Sequence, residues 1–227
     1  MKRGLVLALS LALVLAVSSM GLAASFSADA SYLLGKNGEG EDAVDERGFM
    51  VGAAAEVYPN LVIDGRYLNA SFELDENDGG GSMTQSWLSG SASYRILQQD
   101  DFEVLIGGGY QVYNLVAKTD AGATNGDSSG EDALTAAGIF GKITVALSPI
   151  EKLRIVGDVS YGPSMQRKQK IDGVEQDEKK DALLMGRVSI SYELMDNVSV
   201  QATAVRNSLS EEGIVNLLYG GGITLTF

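Results

Sequence analysis

The chain has 227 residues, no cysteine and no histidine, and a net charge of −13. The lack of cysteine excludes a disulfide scaffold, and so acidic a balance argues against binding to nucleic acid, which needs clustered lysine and arginine. Glycine occurs 28 times and proline only 3 times, and apolar residues alternate with small or polar ones along most of the chain. Alternation with period two predicts an all-β protein.

The first residues have the three-part pattern of a secretory signal peptide. Two basic residues precede an apolar run over residues 5–17, and small residues follow it. The run is shorter than the roughly 20 residues that a transmembrane helix needs. We therefore predict that residues 1–24 are a cleaved signal peptide, cut after Ala23 or Ala24, and that residues 25–227 form one domain.

After this leader, ten segments are typical of strands with one apolar face. In the third segment the alternation blurs after Leu68, which predicts a β-bulge there. Most of the segments reach the roughly 9–11 residues that a tilted strand needs to cross a bilayer. In chain order the segments are 25–34, 48–57, 61–74, 84–97, 102–117, 133–147, 153–161, 182–194, 198–207 and 215–227.

Short and long connections alternate between these strands. If every strand crosses the same layer, the tight turns all lie on one side of it and the longer acidic, glycine-rich loops on the other. An even number of strands then puts both termini on the turn side. Short periplasmic turns and longer extracellular loops are typical of outer-membrane barrels. The turns are 58–60, 98–101, 148–152 and 195–197, and the loops are 35–47, 75–83, 118–132, 162–181 and the shorter 208–213.

The opposite faces of the strands carry charged residues. In a membrane barrel the apolar face meets lipid and the charged face lines the lumen, the reverse of a soluble barrel. Aromatic residues near the tight turns suit an interfacial girdle and favour the membrane barrel; they are Phe26, Tyr94, Phe102, Tyr192 and Phe227. The predicted lumen residues are Asp29, Glu56, Asp64, Arg66, Arg95, Glu103, Lys142, Arg154, Asp158, Arg187 and Glu193. The predicted fold is an antiparallel up-and-down transmembrane β-barrel of about ten strands.

The chain ends on the alternating sequence GGGITLTF. This ending resembles the terminal insertion signal of the outer-membrane β-barrel family, with Gly222, Leu225 and the final Phe227 in the matching positions, although Gly220 stands where a polar residue is usual. The strand pattern as a whole is similar to the small OmpA/OmpX-type barrels. The resemblance implies that the last strand is read by the barrel-assembly machinery and closes against the first.

The lumen charges have two interpretations. In the first, oppositely charged neighbours such as Arg95 and Glu103 form an ion-pair network that plugs the barrel, and in the second the charges line a narrow water-filled path. Barrels of about eight strands are just filled by side chains, and those of about sixteen leave a channel, so ten strands favour the plug. We expect Arg95, Glu103, Lys142 and Arg154 to form one charged layer near the periplasmic mouth.

The sequence contains no catalytic motif. The familiar enzymes of the family that this chain resembles use histidine, which this chain lacks. We predict no enzyme, no cofactor and no metal site. The acidic segments 37–42 and 75–81 could bind calcium, but solvated loops are the simpler interpretation. The mixed-charge run 166–181 is either a mobile loop or a hairpin with a turn at residues 172–173.

The leading functional hypothesis is a non-enzymatic outer-membrane barrel whose acidic surface loops serve adhesion or other envelope contacts. A narrow pore for ions or small solutes is the first alternative, and a lipid-modifying enzyme without histidine is the second. The expected partners are the lipid bilayer, lipopolysaccharide, the barrel-assembly machinery and an unidentified surface ligand. The protein is expected to be a monomer that does not bind nucleic acid.

Overall fold

The computed structural model describes residues 25–37, 44–74, 81–119, 131–171, 174–176, 178–209 and 214–227. All of the predicted strands are present in this part of the chain, together with a two-residue strand within the predicted loop 162–181. The strands are β1 (Ser25–Asn37), β2 (Val44–Tyr58), β3 (Leu61–Leu74), β4 (Gly81–Gln99), β5 (Phe102–Thr119), β6 (Glu131–Ile150), β7 (Leu153–Ile171), β8 (Val174–Glu175), β9 (Lys179–Met195), β10 (Val198–Leu209) and β11 (Ile214–Thr226).

The strands form one closed antiparallel ring. Each strand pairs with the next along the chain, except that β7 pairs with β9 while β8 only extends the end of β7. Strand β1 pairs with β11 from Ser27 opposite Thr226 to Asn37 opposite Asn216, which closes the ring. A closed ring leaves no strand edge without hydrogen bonds, as a hydrocarbon environment requires. The predicted ten-stranded up-and-down barrel is therefore confirmed.

Tight turns join the strands at one end of the barrel. In three of them one residue adopts a left-handed conformation: Asn60 (φ 68°), Lys152 (φ 70°) and Asn197 (φ 70°). Asparagine tolerates this conformation better than most residues, which explains its use in two of the turns. No helix in the described ranges is long and apolar enough to cross a bilayer.

The predicted loop 162–181 is largely a hairpin. Strand β7 continues to Ile171, and β9 begins at Lys179 and pairs with it. The pairing shifts between Gly162 and Met165, because Pro163 has no N–H to donate and is accommodated as a bulge. Of the two alternatives for this run, the structure has the hairpin; the suggested turn at residues 172–173 lies outside the described residues.

The predicted bulge after Leu68 in β3 is wrong. Leu68 pairs in regular register with Met50 on β2 and Trp87 on β4. The alternation of inward and outward side chains continues unbroken, so that Leu68, Ala70 and Phe72 are all buried. The hydrophobic pattern blurs because the inward face itself becomes apolar here, and not because the backbone changes phase.

Several predicted features fall outside the described residues. They include the signal peptide, residues 1–24, and nearly all of the acidic segments 37–42 and 75–81. The signal peptide and its cleavage after Ala23 or Ala24 therefore stay predictions.

Candidate functional site in the barrel lumen

Near the tight turns, one arginine connects carboxylates from two hairpins. The Arg95 guanidinium donates to both oxygens of Glu56 at 3.2 and 3.0 Å, and its Nε lies 3.4 Å from Glu103 Oε2. Arg154 Nη2 lies 3.6 Å from the other Glu103 oxygen, on a side chain that is half exposed. The Asn60 backbone N–H also donates to Glu56, at 3.0 Å. Glu56 is therefore the main partner of Arg95, where the sequence had suggested Glu103.

A second ionic group lies deeper in the barrel, around Asp64. Lys142 Nζ donates to the two Asp64 oxygens at 2.8 and 2.7 Å and lies 3.3 Å from the Ser91 hydroxyl. Lys142 is opposite Gly107 on β5, four residues further from the turn than Glu103. The expected single layer that included Lys142 is therefore wrong: Lys142 belongs to this separate group.

A third group is centred on Asp158. Arg187 donates from Nε to Asp158 Oδ2 at 2.7 Å, its Nη2 lies 2.6 Å from the same oxygen, and Arg66 Nη1 lies 3.7 Å from Oδ1. All three side chains are about nine-tenths buried. Two guanidinium groups therefore share the Asp158 carboxylate.

Two of the predicted lumen residues enter none of the ion pairs in the described ranges. Asp29 lies against Gly52, where an added Cβ would be 2.7 Å from Asp29 Oδ1, and its Oδ2 is buried without a hydrogen-bond partner. Glu193 is half-buried, and its backbone N–H donates to the Lys152 carbonyl oxygen at 2.9 Å.

Above these charged groups, on the loop side, the lumen is largely apolar, although the buried Arg167–Asp181 ion pair also lies there. Fifteen buried residues form one packed cluster there, and the Trp87 indole N–H donates to Gln111 Oε1 at 3.1 Å. The alternation along the strands does not predict this layer. Its members are Leu33, Met50, Leu68, Ala70, Trp87, Tyr113, Leu115, Leu134, Ala136, Met165, Leu183, Met185, Val205, Leu209 and Leu218.

A polar network is embedded in this apolar layer. Gln85, which is fully buried, donates to Glu46 and accepts hydrogen bonds from Asn207 at 3.0 Å and Tyr113 at 3.3 Å. Glu46 is 1% exposed and takes part in no ion pair of the described residues. The network joins strands from opposite sides of the ring, so it ties the outer lumen together with hydrogen bonds as well as packing.

Little open space remains between the charged and apolar layers. The void lined by Met50, Arg66, Trp87 and Asp158 has a volume of about 10 Å³. That is roughly the space of a single water molecule. Within the described ranges, no group of three or more carboxylate residues is placed to hold a metal ion. The arrangement suits a filled lumen and contains no evident reactive group.

The predicted assembly residues lie on the strand that closes the ring. Phe227 exchanges two backbone hydrogen bonds with Phe26, of 3.0 and 2.8 Å, and the two rings pack with centroids 6.1 Å apart. At Gly222 an added Cβ would lie 1.9 Å from the Ala30 carbonyl oxygen, so a side chain would push β11 away from β1. Leu225 is opposite Ala28 in the same seam.

Comparisons with known proteins give a likeness of fold only. No family model matches the sequence, and no curated protein matches it. The outer membrane protease OmpT of Escherichia coli is 13% identical, with 90% of this chain and 97% of OmpT covered and a TM-score of 0.64. The translocator domain of the autotransporter NalP of Neisseria meningitidis is 15% identical, with 100% and 98% covered and a TM-score of 0.52. Ail, the attachment invasion locus protein of Yersinia pestis, is 11% identical over 89% and 98%, with a TM-score of 0.43.

The closed ring, together with the likeness to OmpT and to the NalP translocator domain, defines the fold of this protein. It is the fold of a small outer-membrane β-barrel.

Proposed function

We propose that this protein is a sealed, non-enzymatic outer-membrane barrel that displays its loop-side hairpins for adhesion or envelope contacts. The observation that carries the proposal is the filled lumen. Ion pairs around Arg95, Asp64 and Asp158 occupy the turn side and middle, and the apolar cluster lies above them. We infer that the described side chains, packed in this way, leave no continuous path for water and solutes.

The length of the strands supports a display role. An apolar band about 25 Å tall is spanned by roughly 9–11 residues of a tilted strand. Strands β4 and β7 have 19 residues each and β6 has 20, so they extend well beyond the band on the loop side. Near the tip of the β7–β9 hairpin, Lys168 Nζ donates to Glu178 at 2.6 Å, and this hydrogen bond raises the pKa of Lys168.

Catalysis is not part of the proposal. OmpT is a protease, but an identity of 13% relates only its fold to this chain. The chain contains no histidine, the side chain that most often serves as a general base. The proposed partners are the lipid bilayer, lipopolysaccharide, the barrel-assembly machinery and a surface ligand, with the protein acting as a monomer.

Planar-bilayer recording tests the sealed lumen. The intact barrel should show no steady conductance, whereas a variant with both Trp87 and Arg95 replaced by alanine, and shown to fold by its gel shift before and after boiling, should conduct, because both layers are then opened. The variant serves as the control for insertion and detection. Steady, ion-selective current through the intact protein would contradict the proposal and favour the pore.

The display role needs its own measurement. Cells that carry the intact barrel are compared with cells in which residues 171–178 are replaced by a two-residue turn, a change that leaves the pairing of β6 with β7 and the Arg167–Asp181 ion pair in place. Attachment to surfaces or resistance of the envelope to bile salts should fall in the trimmed strain. If both are unchanged there and in a strain without the protein, the display role is refuted.

A further inference from the structure

The lipid-facing surface carries a groove whose floor lacks side chains. Gly157 on β7 and Gly186 on β9 face outward here, between the exposed side chains of Val159 and Val188. An added Cβ at Gly186 would meet nothing within 4 Å, and one at Gly157 would meet only a backbone oxygen at 4.0 Å. The groove has a volume of about 540 Å³, and Leu217 on β11 forms part of its wall. These glycines leave open space instead of permitting close packing.

An outward cationic side chain lies beside this apolar groove; the other charged residues at the groove, Arg187 and Asp158, are paired with each other in the lumen. Arg206 on β10 is exposed and faces outward, because its neighbours Val205 and Asn207 are buried in the lumen. It is opposite Gly186 on one side and Leu217 on the other, and it lines the groove. Arg206 takes part in no ion pair of the described residues, so its charge is available to a ligand.

The height of Arg206 in the membrane identifies what it meets. It is eight residues beyond Val198, the first residue of β10 after its periplasmic turn. A rise of about 3.3 Å per residue on a strand tilted by about 40° places it roughly 20 Å above that turn, near the outer edge of an apolar band of about 25 Å. Two outward tyrosines, Tyr219 on the adjacent strand β11 and Tyr161 on β7, are also exposed, as is typical of the membrane–water interface.

The chemistry beside Arg206 matches a phosphorylated lipid. Arginine binds phosphate through paired, charge-assisted hydrogen bonds. The outward neighbours on β9, β10 and β11, which are Leu184, Ala204 and Tyr219, bring no carboxylate to compete. A groove of branched apolar side chains over a glycine floor suits an acyl chain directly below a headgroup.

We propose that this groove holds an acyl chain of lipid A in the outer leaflet, with the Arg206 guanidinium hydrogen-bonded to a lipid A phosphate. This gives a site to the lipopolysaccharide contact included in the proposed function. It rests on the outer-membrane location and does not depend on whether the lumen conducts or on what the loops contact.

The test uses native mass spectrometry to measure how tightly the detergent-solubilised, folded barrel binds lipid A. The barrel is titrated with diphosphoryl lipid A and, separately, with the same lipid after its phosphates are removed. Arg206→Gln should weaken binding of diphosphoryl lipid A about tenfold or more, which is about 1.4 kcal/mol, and leave the dephosphorylated lipid unaffected. Gly186→Leu should weaken both, since it fills the groove. Gly90→Leu is the matched control, because Gly90 is equally open but lies on β4, outside the groove.

Folding of each variant is checked by its shift on SDS gels before and after boiling. If Gly186→Leu does not fold, Gly157→Leu tests the same floor. The proposal is overturned if the intact protein binds the two lipids equally, if Arg206→Gln binds diphosphoryl lipid A as the intact protein does, or if Gly90→Leu weakens binding as much as Gly186→Leu. None of these results bears on the conductance test of the sealed lumen.

Discussion

Replacing Arg95 with alanine should destabilise the barrel mainly through Glu56. In the intact protein Glu56 receives two hydrogen bonds from Arg95 and one from the Asn60 backbone, and it has no other cationic partner among the described residues. Glu103 loses less electrostatic stabilisation than Glu56, because Arg154 remains 3.6 Å away from it. Breaking a fully buried pair costs about 3–5 kcal/mol; with the Arg95 and Glu56 side chains 13% and 17% exposed, we expect about 2–4 kcal/mol.

Two double variants show which carboxylate is left without its main partner when Arg95 is replaced. Arg95→Ala with Glu56→Gln removes the carboxylate that lost its main partner, so it should recover more than half of the lost stability. Arg95→Ala with Glu103→Gln should recover little, and it removes the partner of Arg154 as well. The comparison is matched, because both second changes neutralise a carboxylate without altering its size.

The measurement is the free energy of unfolding in urea or guanidinium, with the protein folded into detergent micelles or vesicles and reversibility checked in both directions. Equal recovery by the two double variants would refute the assignment of Glu56 as the main partner. A loss below about 0.5 kcal/mol for Arg95→Ala would refute the larger claim that this end of the lumen is dry, since exposed pairs contribute about that much.

Two further predictions concern the outer lumen and the closing seam. Trp87→Ala should lower the free energy of unfolding in urea by about 3–5 kcal/mol, because it leaves a cavity and removes the hydrogen bond to Gln111. Leu88→Ala, on the lipid side of the same strand, should lower it much less. Similar losses in the two variants would contradict the packed outer lumen. Phe227→Ala should reduce the yield of protein in the outer membrane well below that of the intact protein. The free energy of unfolding of the refolded variant should fall by only about 1 kcal/mol, since the ring is 68% exposed. Equal yields at equal expression would contradict the role of Phe227 as an assembly signal.

The ring was predictable from sequence because one physical rule governs it. Every strand that faces lipid must alternate, and each tight turn needs residues that tolerate its backbone, such as Asn60 and Asn197. Strand ends were less predictable. Gly162 and Pro163 resemble the start of a loop, yet β7 continues to Ile171, because a hydrogen-bonded partner strand can absorb one bulge.

The outer lumen was not predictable because its residues break the alternation that located the strands. Trp87 and Leu88 are adjacent and both apolar, but Trp87 is buried in the lumen and Leu88 is 53% exposed on the lipid side. Tyr67 and Leu68 repeat the problem on β3. Where both faces are apolar, period two disappears, and only the register with the neighbouring strands shows which side chain faces inward. Glu46 was missed for a different reason: its place in the lumen depends on a strand that begins before the predicted boundary at residue 48.

The lumen contacts also explain why the ring has this number of strands. Lys142 on β6 pairs with Asp64 on β3, and Arg66 on β3 reaches Asp158 on β7, four strands away around the ring. Ladder hydrogen bonds between neighbours would be satisfied equally in a wider or narrower barrel, so they do not set its size. Contacts across the lumen form only over a narrow range of diameters, and a wider ring would separate these charges and let water into the lumen. The interior charges therefore fit the diameter of a ten-stranded ring, and the apolar cluster above them adds packing across the same lumen.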